Sequence, residues 1–155
     1  MMFRAFAVAA CLLIPAVPAQ AQTIAAADPA SIENALRVMG YLPKLETDKA
    51  GEPVIRSTLE GLKYSIYFYG CDTGKNCQHI QFSIAFETET PLTADLMNDW
   101  NSSRNVGQAF LDRNGDPVLE YYITTSGGLP VAAFDRIVSQ WSRAALDFKT
   151  HIGWE

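Results

Sequence analysis

The chain has 155 residues, 48% hydrophobic and 19% charged, a composition that fits one globular domain rather than a disordered chain or a bundle of membrane helices. It carries 12 basic and 17 acidic residues, for a formal net charge of −5, and its basic residues form no cluster along the sequence. Nucleic acids and anionic membrane surfaces are bound by clustered Lys and Arg, so neither is expected as a partner.

Residues 1–21 have the pattern of a cleavable secretory signal. Arg4 precedes the apolar run from Phe6 to Val17, and the small-residue motif that ends at Ala21 follows as a cleavage site. The run is shorter than the about 20 apolar residues of a membrane-spanning helix, so we predict no stable membrane insertion. We expect a periplasmic or secreted protein, with a linker at residues 22–27 before the domain. The alternative is a lipoprotein signal that leaves Cys11 acylated.

Export would leave Cys71 and Cys77 as the two cysteines of the mature chain, because Cys11 lies within the signal. An even pair in an oxidising compartment predicts a disulfide, here across the mouth of a β-hairpin. A redox-active pair is the alternative. Thioredoxin-like chemistry prefers Cys-x-x-Cys at the start of a helix, whereas five residues separate these cysteines between two strands, so we expect a structural bond.

The first half of the domain predicts a helix and four strands. The pair Asp28-Pro29 is typical of a helix start, and Gly40 is placed to end the helix. Two short extended segments follow, at residues 45–47 and 54–59, on either side of a polar turn. Two longer strands, residues 62–69 and 79–87, alternate apolar and polar side chains, which predicts two chemically different faces.

The second half predicts a helix, a hairpin and a final helix. Thr93 is suited to cap a helix that ends before Gly107, and residues 109–111 and 118–124 flank a turn with an Asn-Gly step. From Pro130 onward, apolar residues recur every three or four positions, which predicts an amphipathic helix that covers a sheet. We therefore predict one α+β domain, residues 28–155, in the order α-β-β-β-β-α-β-β-α, with a mainly antiparallel sheet packed by helices.

The two polar turns have similar sequences. Residues 48–55, DKAGEPVI, resemble residues 112–119, DRNGDPVL, and each segment follows a helix and a strand. This similarity indicates either an internal duplication or shared turn physics. Asp112, Asn114 and Asp116 also match the first positions of a calcium loop, but Pro117 stands where that loop needs Gly, so we interpret the segment as a hairpin turn and predict no metal site.

One polar strand face is the candidate binding surface. The alternation along the two long strands places tyrosine and hydrogen-bonding side chains on one side of the sheet, a mixture that is common at interfaces. The alternative is that the last helix or a neighbouring strand covers the tyrosines and leaves their hydroxyls at the rim. The candidate residues are Tyr67, Tyr69, His79, Gln81 and Ser83, with Tyr122 as a further candidate.

The sequence contains no catalytic or cofactor-binding motif. Its two histidines, His79 and His151, lie far apart and have no metal-ligand spacing or adjacent nucleophile motif. We predict no cofactor and no catalytic residue. A hydrolase built on His79 and a neighbouring Ser or Asp is the alternative that would make the protein an enzyme.

A pattern of hydrophobic and turn residues recurs in four segments: Asp48 to Arg56, Tyr67 to Cys71, Trp100-Asn101, and Phe110 to Glu120. In this pattern the chain resembles the YbjN-domain family over roughly residues 28–150, and the likeness is specific for fold rather than activity. The family is described as regulators of bacterial sensory transduction, and its fold is similar to that of type III secretion chaperones, which pack helices on an antiparallel sheet and bind other proteins. The resemblance supplies no catalytic residues.

The resemblance and the residues together predict a non-enzymatic binding module. The export signal and the cysteine pair differ from cytoplasmic members of the family and imply a periplasmic role. We expect a chaperone-like or regulatory protein, and a possible homodimer, that binds a protein or peptide through its sheet face or a strand edge. A small-molecule sensor, which would need a deep apolar pocket with converging polar groups, is the alternative function.

Overall fold

The computed structural model describes residues 23–155. Within this range the predicted α+β class is confirmed, and the order of the helices and the longer strands agrees with the prediction. The helices are α1 (Pro29–Val38), α2 (Ala94–Ser103) and α3 (Val131–His151). The strands are β1 (Thr23–Ile24), β2 (Lys44–Thr47), β3 (Pro53–Leu59), β4 (Leu62–Tyr69), β5 (His79–Ala85), β6 (Gln108–Leu111), β7 (Pro117–Thr124) and β8 (Leu129–Pro130).

Two features at the start of the described chain differ from the expectation. Thr23 and Ile24 pair with Pro130 and Leu129 in a separate two-stranded sheet, which the sequence pattern did not indicate. Ile24 and Ala26 are buried, so these two residues of the segment that we expected to be a linker pack into the folded domain. The predicted signal at residues 1–21 lies outside the described residues. Within residues 23–155 no helix is long and apolar enough to cross a membrane.

The main sheet has six strands in the order β2-β3-β4-β5-β7-β6, and every neighbouring pair is antiparallel. The first four strands follow chain order. The last hairpin then inserts β7 beside β5, so β6 becomes an edge strand. The edges of the sheet are thus β2 and β6, and each is the strand that directly follows α1 or α2 in the chain.

All three helices pack into one core on the same side of this sheet. The longest helix, α3, carries the central side chain Trp141, whose ring centroid lies 5.4 Å from that of Phe82 and 6.1 Å from that of Tyr64. The apolar stripes of α1 and α2 join the same core. Side chains that alternate with Tyr64 and Phe82 therefore point to the opposite face of the sheet. The buried helix residues include Ile32, Leu36, Met97, Trp100, Phe134, Val138, Trp141, Ala145 and Phe148.

The two similar turns have the same hydrogen-bond pattern. In each, the carboxylate of the first Asp accepts hydrogen bonds from the backbone N–H groups two and four residues later, at 2.8 and 3.0 Å for Asp48 and at the same distances for Asp112. The shared backbone path agrees with a duplication and equally with common turn physics. Asp112 therefore orders a hairpin turn.

The predicted helix caps differ in outcome. Thr93 caps α2 as expected, since its Oγ1 accepts a hydrogen bond from the backbone N–H of Leu96 at 3.4 Å. Asp28 occupies the cap position of α1, but its side chain accepts no capping hydrogen bond. The start of α1 is therefore favoured by Pro29 in its first turn. A backbone N–H at this position would have no acceptor within the helix, so its absence in proline costs no hydrogen bond.

Candidate functional site

The six candidate residues lie together on the face of the sheet opposite α3. We call this set, Tyr67, Tyr69, His79, Gln81, Ser83 and Tyr122, the tyrosine face. The strand register places Tyr67 opposite Gln81 and Gln81 opposite Tyr122, so these three side chains form one row across β4, β5 and β7. Tyr69 and His79 are opposite each other in the next row, while Ser83 lies two positions beyond Gln81 on β5.

The aromatic rings of the tyrosine face form an accessible cluster. The Tyr122 ring centroid lies 5.3 Å from that of His79 and 6.1 Å from that of Tyr69. Tyr69 is 43% exposed and Tyr122 is 53% exposed, while Tyr67 is half-buried. Because α3 packs on the other face, the alternative in which it covers these tyrosines does not hold. Large, accessible aromatic side chains with polar tips are well suited to binding another molecule.

Glu120 belongs to the same surface, although the sequence pattern did not single it out. It lies opposite Ser83, whose Oγ donates a hydrogen bond to Glu120 Oε1 at 3.4 Å. Burial raises the pKa of the Glu120 carboxyl above its ordinary value, and hydrogen bonds from Ser83 and Gln81 partly oppose this effect. Its position two residues before Tyr122 on β7 was the signal that could have identified it.

The pKa of Tyr69 is also raised, first by partial burial and then by the negative charge of Glu120. The phenol therefore stays neutral at ordinary pH and can act as a hydrogen-bond donor. Within residues 23–155, we find no hydrogen bond from the hydroxyls of Tyr67, Tyr69 or Tyr122 to another protein group. These hydroxyls are available to a partner.

On β2 and β3, at the other side of the same face, the charged side chains form ion pairs with one another. Glu46 pairs with Lys44 at 2.7 Å and with Arg56 at 3.6 Å. Arg56 Nη1 also donates a hydrogen bond to Ser65 Oγ at 2.7 Å. The hydrogen bond from Lys44 is the main reason that the pKa of Glu46 is lowered. The tyrosine end is therefore the part of this face with unused hydrogen-bonding groups.

The disulfide loop borders the tyrosine face. Cys71 and Cys77 are bonded, at the mouth of the β4–β5 hairpin as the sequence predicted, and Cys77 is buried. At the tip of the loop, a Cβ added to Gly74 would lie 2.7 Å from the carbonyl oxygen of Gly51, so the loop packs closely against the first polar turn. The Glu52 carboxylate lies within 4.8 Å of the sulfurs, but bonded sulfurs offer no thiolate to a metal.

A cleft of about 390 Å³ lies between this loop, the first turn and the end of β4. Its walls include two members of the tyrosine face, and the cleft therefore extends that face toward the disulfide. The lining residues are Asp48, Ala50, Glu52, Tyr67, Phe68, Tyr69, Gly70 and Cys71.

Helix side chains occupy backbone groups at both edges of the sheet. Asn101 of α2 donates a hydrogen bond to the carbonyl of Ala109 at 2.9 Å and accepts one from its N–H at 2.8 Å. Glu33 of α1 accepts a hydrogen bond from the N–H of Leu45 at 3.2 Å. Neither role was predicted, because a helix polar residue carries no sequence signal for a distant strand partner. Unpaired edge groups attract other strands, so these contacts protect both edges.

The two histidines lie in different environments and do not meet. His151 Nε2 donates a hydrogen bond to the carbonyl of Leu96 at 2.9 Å, which joins α3 to α2. The His79 ring lies beside that of Tyr122, tilted by 31°, and its Nδ1 is buried without a hydrogen-bond partner in the described part of the chain. Since no Ser, Thr or Cys side chain in residues 23–155 is hydrogen-bonded to His79, the structure offers no assembled nucleophile and base.

Comparisons with known proteins agree with the resemblance seen in the sequence. The model of the YbjN family, described as "Putative bacterial sensory transduction regulator", matches residues 28–154. The match thus covers the whole of the main sheet and all three helices. No curated protein matches the chain.

Proposed function

The chain belongs to the YbjN family, and on that basis we propose that it is a periplasmic regulatory or chaperone-like module that binds a protein or peptide through its tyrosine face. The family description fits a regulatory role. Recognition on this surface would be noncovalent, and we assign no catalytic residue to it.

The observation that carries this proposal is the accessibility of an aromatic and polar cluster on a rigid sheet. Tyr69 and Tyr122 are 43% and 53% exposed, and the sheet that carries them is held in place by α3, which packs on its opposite face. Tyrosine is enriched at interfaces because it contributes large contact area and a hydroxyl while losing little conformational freedom. Gln81 and Ser83 supply further hydrogen-bonding groups beside the rings.

The face is a better candidate than the strand edges. A peptide that added a strand to β6 or β2 would compete with Asn101 or Glu33, which already bond to the edge backbone. Binding on the tyrosine face requires no such displacement. Of the two surfaces that the sequence left open, the structure therefore favours the face.

Two observations support a periplasmic location. Residues 1–21 have the charge, apolar run and small-residue site of a secretory signal. The Cys71–Cys77 bond suits an oxidising compartment, where such bonds persist. The location can be tested by fractionating cells and following the mass of the mature chain, which should lack the first 21 residues.

The binding role is tested by capture from a periplasmic extract. The parent domain is immobilised beside a variant in which Tyr67, Tyr69 and Tyr122 are changed to Ala. The matched control changes Val38 and Leu42 to Ala, since these side chains are 88% and 79% exposed but lie outside the tyrosine face. Circular dichroism and thermal unfolding establish that all three proteins are folded. A photo-crosslinking residue at position 122 then identifies what touches the face.

We expect a protein that is retained by the parent and the control, lost by the tyrosine variant, and crosslinked from position 122. Equal retention by all three folded proteins would place the binding surface elsewhere. If nothing specific is retained or crosslinked, the protein-partner function is wrong.

A further inference from the structure

A second surface lies between the end of α2 and the middle of α3, where a cleft of about 250 Å³ opens on the helical side of the molecule. Two arginines contribute to it, one from the segment that follows α2 and one from α3. The cleft is lined by Trp100, Arg104, Asn105, Val106, Gln140, Arg143, Ala144 and Asp147.

Neither arginine is engaged in an ion pair within the described residues. The ion pairs found within residues 23–155 involve neither Arg104 nor Arg143, although Asp147 is one helical turn beyond Arg143 on α3. The Arg104 guanidinium lies over the Trp100 ring, 5.3 Å from its centroid, which holds the cation at the cleft. With Asp147, the lining of the cleft carries a net charge of +1 (two arginines less one aspartate), in a chain of net charge −5.

The cleft combines an apolar floor with charged and polar walls. Its floor is apolar, since Trp100 and Ala144 are buried and Val106 is partly buried against the core. The Trp100 indole N–H donates a hydrogen bond to the carbonyl of Gly107 at 3.3 Å, which fixes the orientation of the ring. An apolar floor with a few converging polar groups is typical of ligand pockets.

We propose that this cleft binds a small molecule that carries an oxyanion, either a carboxylate or a phosphate, next to a hydrogen-bond donor such as an ammonium group. The guanidinium groups of Arg104 and Arg143 would hold the oxyanion through charge-assisted hydrogen bonds, whose forked geometry suits both anions. Asp147 lines the same cleft and would accept the hydrogen bond from the donor.

Arg143 is the better residue for the test, because Arg104 also lines a neighbouring cleft of about 320 Å³ that includes Tyr122 of the tyrosine face. Arg143 does not line that second cleft. The proposed ligand site and the proposed partner surface can therefore be tested independently.

The experiment is an NMR titration of the folded domain with three probes at constant ionic strength: inorganic phosphate, glutarate and glutamate. Glutarate and glutamate differ by the ammonium group, so their comparison measures the contribution of the donor. The variants are Arg143→Gln, Asp147→Asn and the matched control Arg136→Gln, an exposed arginine of α3 that does not line the cleft.

We expect at least one probe to shift the amide signals of Val106 and Ala144. Arg143→Gln should weaken that binding about tenfold, since a charge-assisted hydrogen bond is lost, and Arg136→Gln should leave it unchanged. Tighter binding of phosphate or of the carboxylates identifies which oxyanion the cleft takes. Asp147→Asn should remove the preference for glutamate over glutarate.

The oxyanion site is wrong if no probe shifts these signals at about 10 mM, a concentration that would reveal even millimolar affinity. It is also wrong if Arg143→Gln and Arg136→Gln weaken binding equally, which would indicate general charge attraction. Equal affinity for glutamate and glutarate in the parent would overturn the role of Asp147.

Discussion

The two faces of the six-stranded sheet are built from the same strands and are both aromatic, but only one of them is covered by a helix. On one face, Tyr64 and Phe82 pack under Trp141 of α3. On the other, Tyr69 and Tyr122 lie beside each other in contact with solvent. Aromatic content alone therefore does not distinguish a buried face from a solvent-accessible one. The difference is whether a helix covers the side chains.

The electrostatic environment follows the same division. Burial raises the pKa of Tyr64 to about 12, whereas Tyr69, which is less buried, has a pKa that is raised partly by burial and partly by the nearby Glu120 charge. A covered phenol is held neutral by its apolar surroundings. An accessible phenol is affected by charges that a bound partner could alter.

The largest expected effect comes from removing the side chain that closes the core face. Trp141→Ala should reduce the free energy of unfolding by about 3–5 kcal/mol, because it leaves a large cavity between α3 and the sheet. Tyr122→Ala, the control on the other face, should change it by at most about 0.5 kcal/mol. Urea denaturation followed by circular dichroism measures both. Similar losses would show that the two faces contribute equally to stability.

The disulfide should have the next largest effect. Replacing Cys71 and Cys77 by Ser removes a constraint on the unfolded chain and should reduce the free energy of unfolding by about 2 kcal/mol. Binding at the tyrosine face should persist at temperatures where the variant is folded. The control is the parent treated with a thiol reductant, which should show the same loss. Unchanged stability together with lost binding would instead give the disulfide loop a direct role in recognition.

A smaller effect is expected from Tyr64→Phe, because the buried Tyr64 hydroxyl lies near Ser57 but forms no hydrogen bond of normal geometry within the described chain. At pH 7 the change should be neutral or stabilising by up to about 1 kcal/mol. Since the pKa of Tyr64 is about 12 in the folded state and its ordinary value is 10.0, the parent should lose stability as pH rises from 10 to 12. The variant should lose less over this window in thermal unfolding measurements.

Tyr69→Phe serves as the comparison for this pH dependence. It should also reduce the loss of stability above pH 10, but by less than Tyr64→Phe does, because Tyr69 is more exposed. If Tyr64→Phe has no effect above pH 10, the buried phenol is not the source of the alkaline instability.

The smallest effect is expected at Glu120. Its raised pKa means that the folded state favours the protonated carboxyl, so stability falls as pH rises above the ordinary value of 4.5. Glu120→Gln should therefore raise the melting temperature at pH 7 by about 1 °C and have no effect at pH 4. Glu60→Gln, at the turn between β3 and β4, is the control. A lower melting temperature at pH 7 would show that the charge stabilises the fold.

Much of the local structure could be predicted from the sequence. The alternation along β4 and β5 identified both faces of the sheet, and all six residues of the tyrosine face are found together. The polar turns and the hairpin disulfide were also identified, because a few neighbouring residues determine such features. The strand predicted to reach residue 87 ends at Ala85, which is an ordinary error at an element boundary.

Contacts between distant residues could not be predicted in this way. The short strands β1 and β8 contain too few residues for a periodic pattern. They pair only because the fold of the about one hundred residues between them brings the two segments side by side. Asn101 and Glu33 were missed because their strand partners are set by helix placement. The arginines of the α2–α3 cleft lie far apart in the sequence and line one cleft only because the helices pack together.

The sequence by itself therefore determined the α+β class, the alternation of each strand and the chemistry of its turns, since these depend on interactions between near neighbours. The tertiary structure alone decided that all three helices share one side of the sheet and that the last hairpin inserts β7 beside β5. Those choices depend on burying apolar surface from the whole chain at once. They leave the tyrosine face accessible to solvent and place the two arginines on the lining of one cleft.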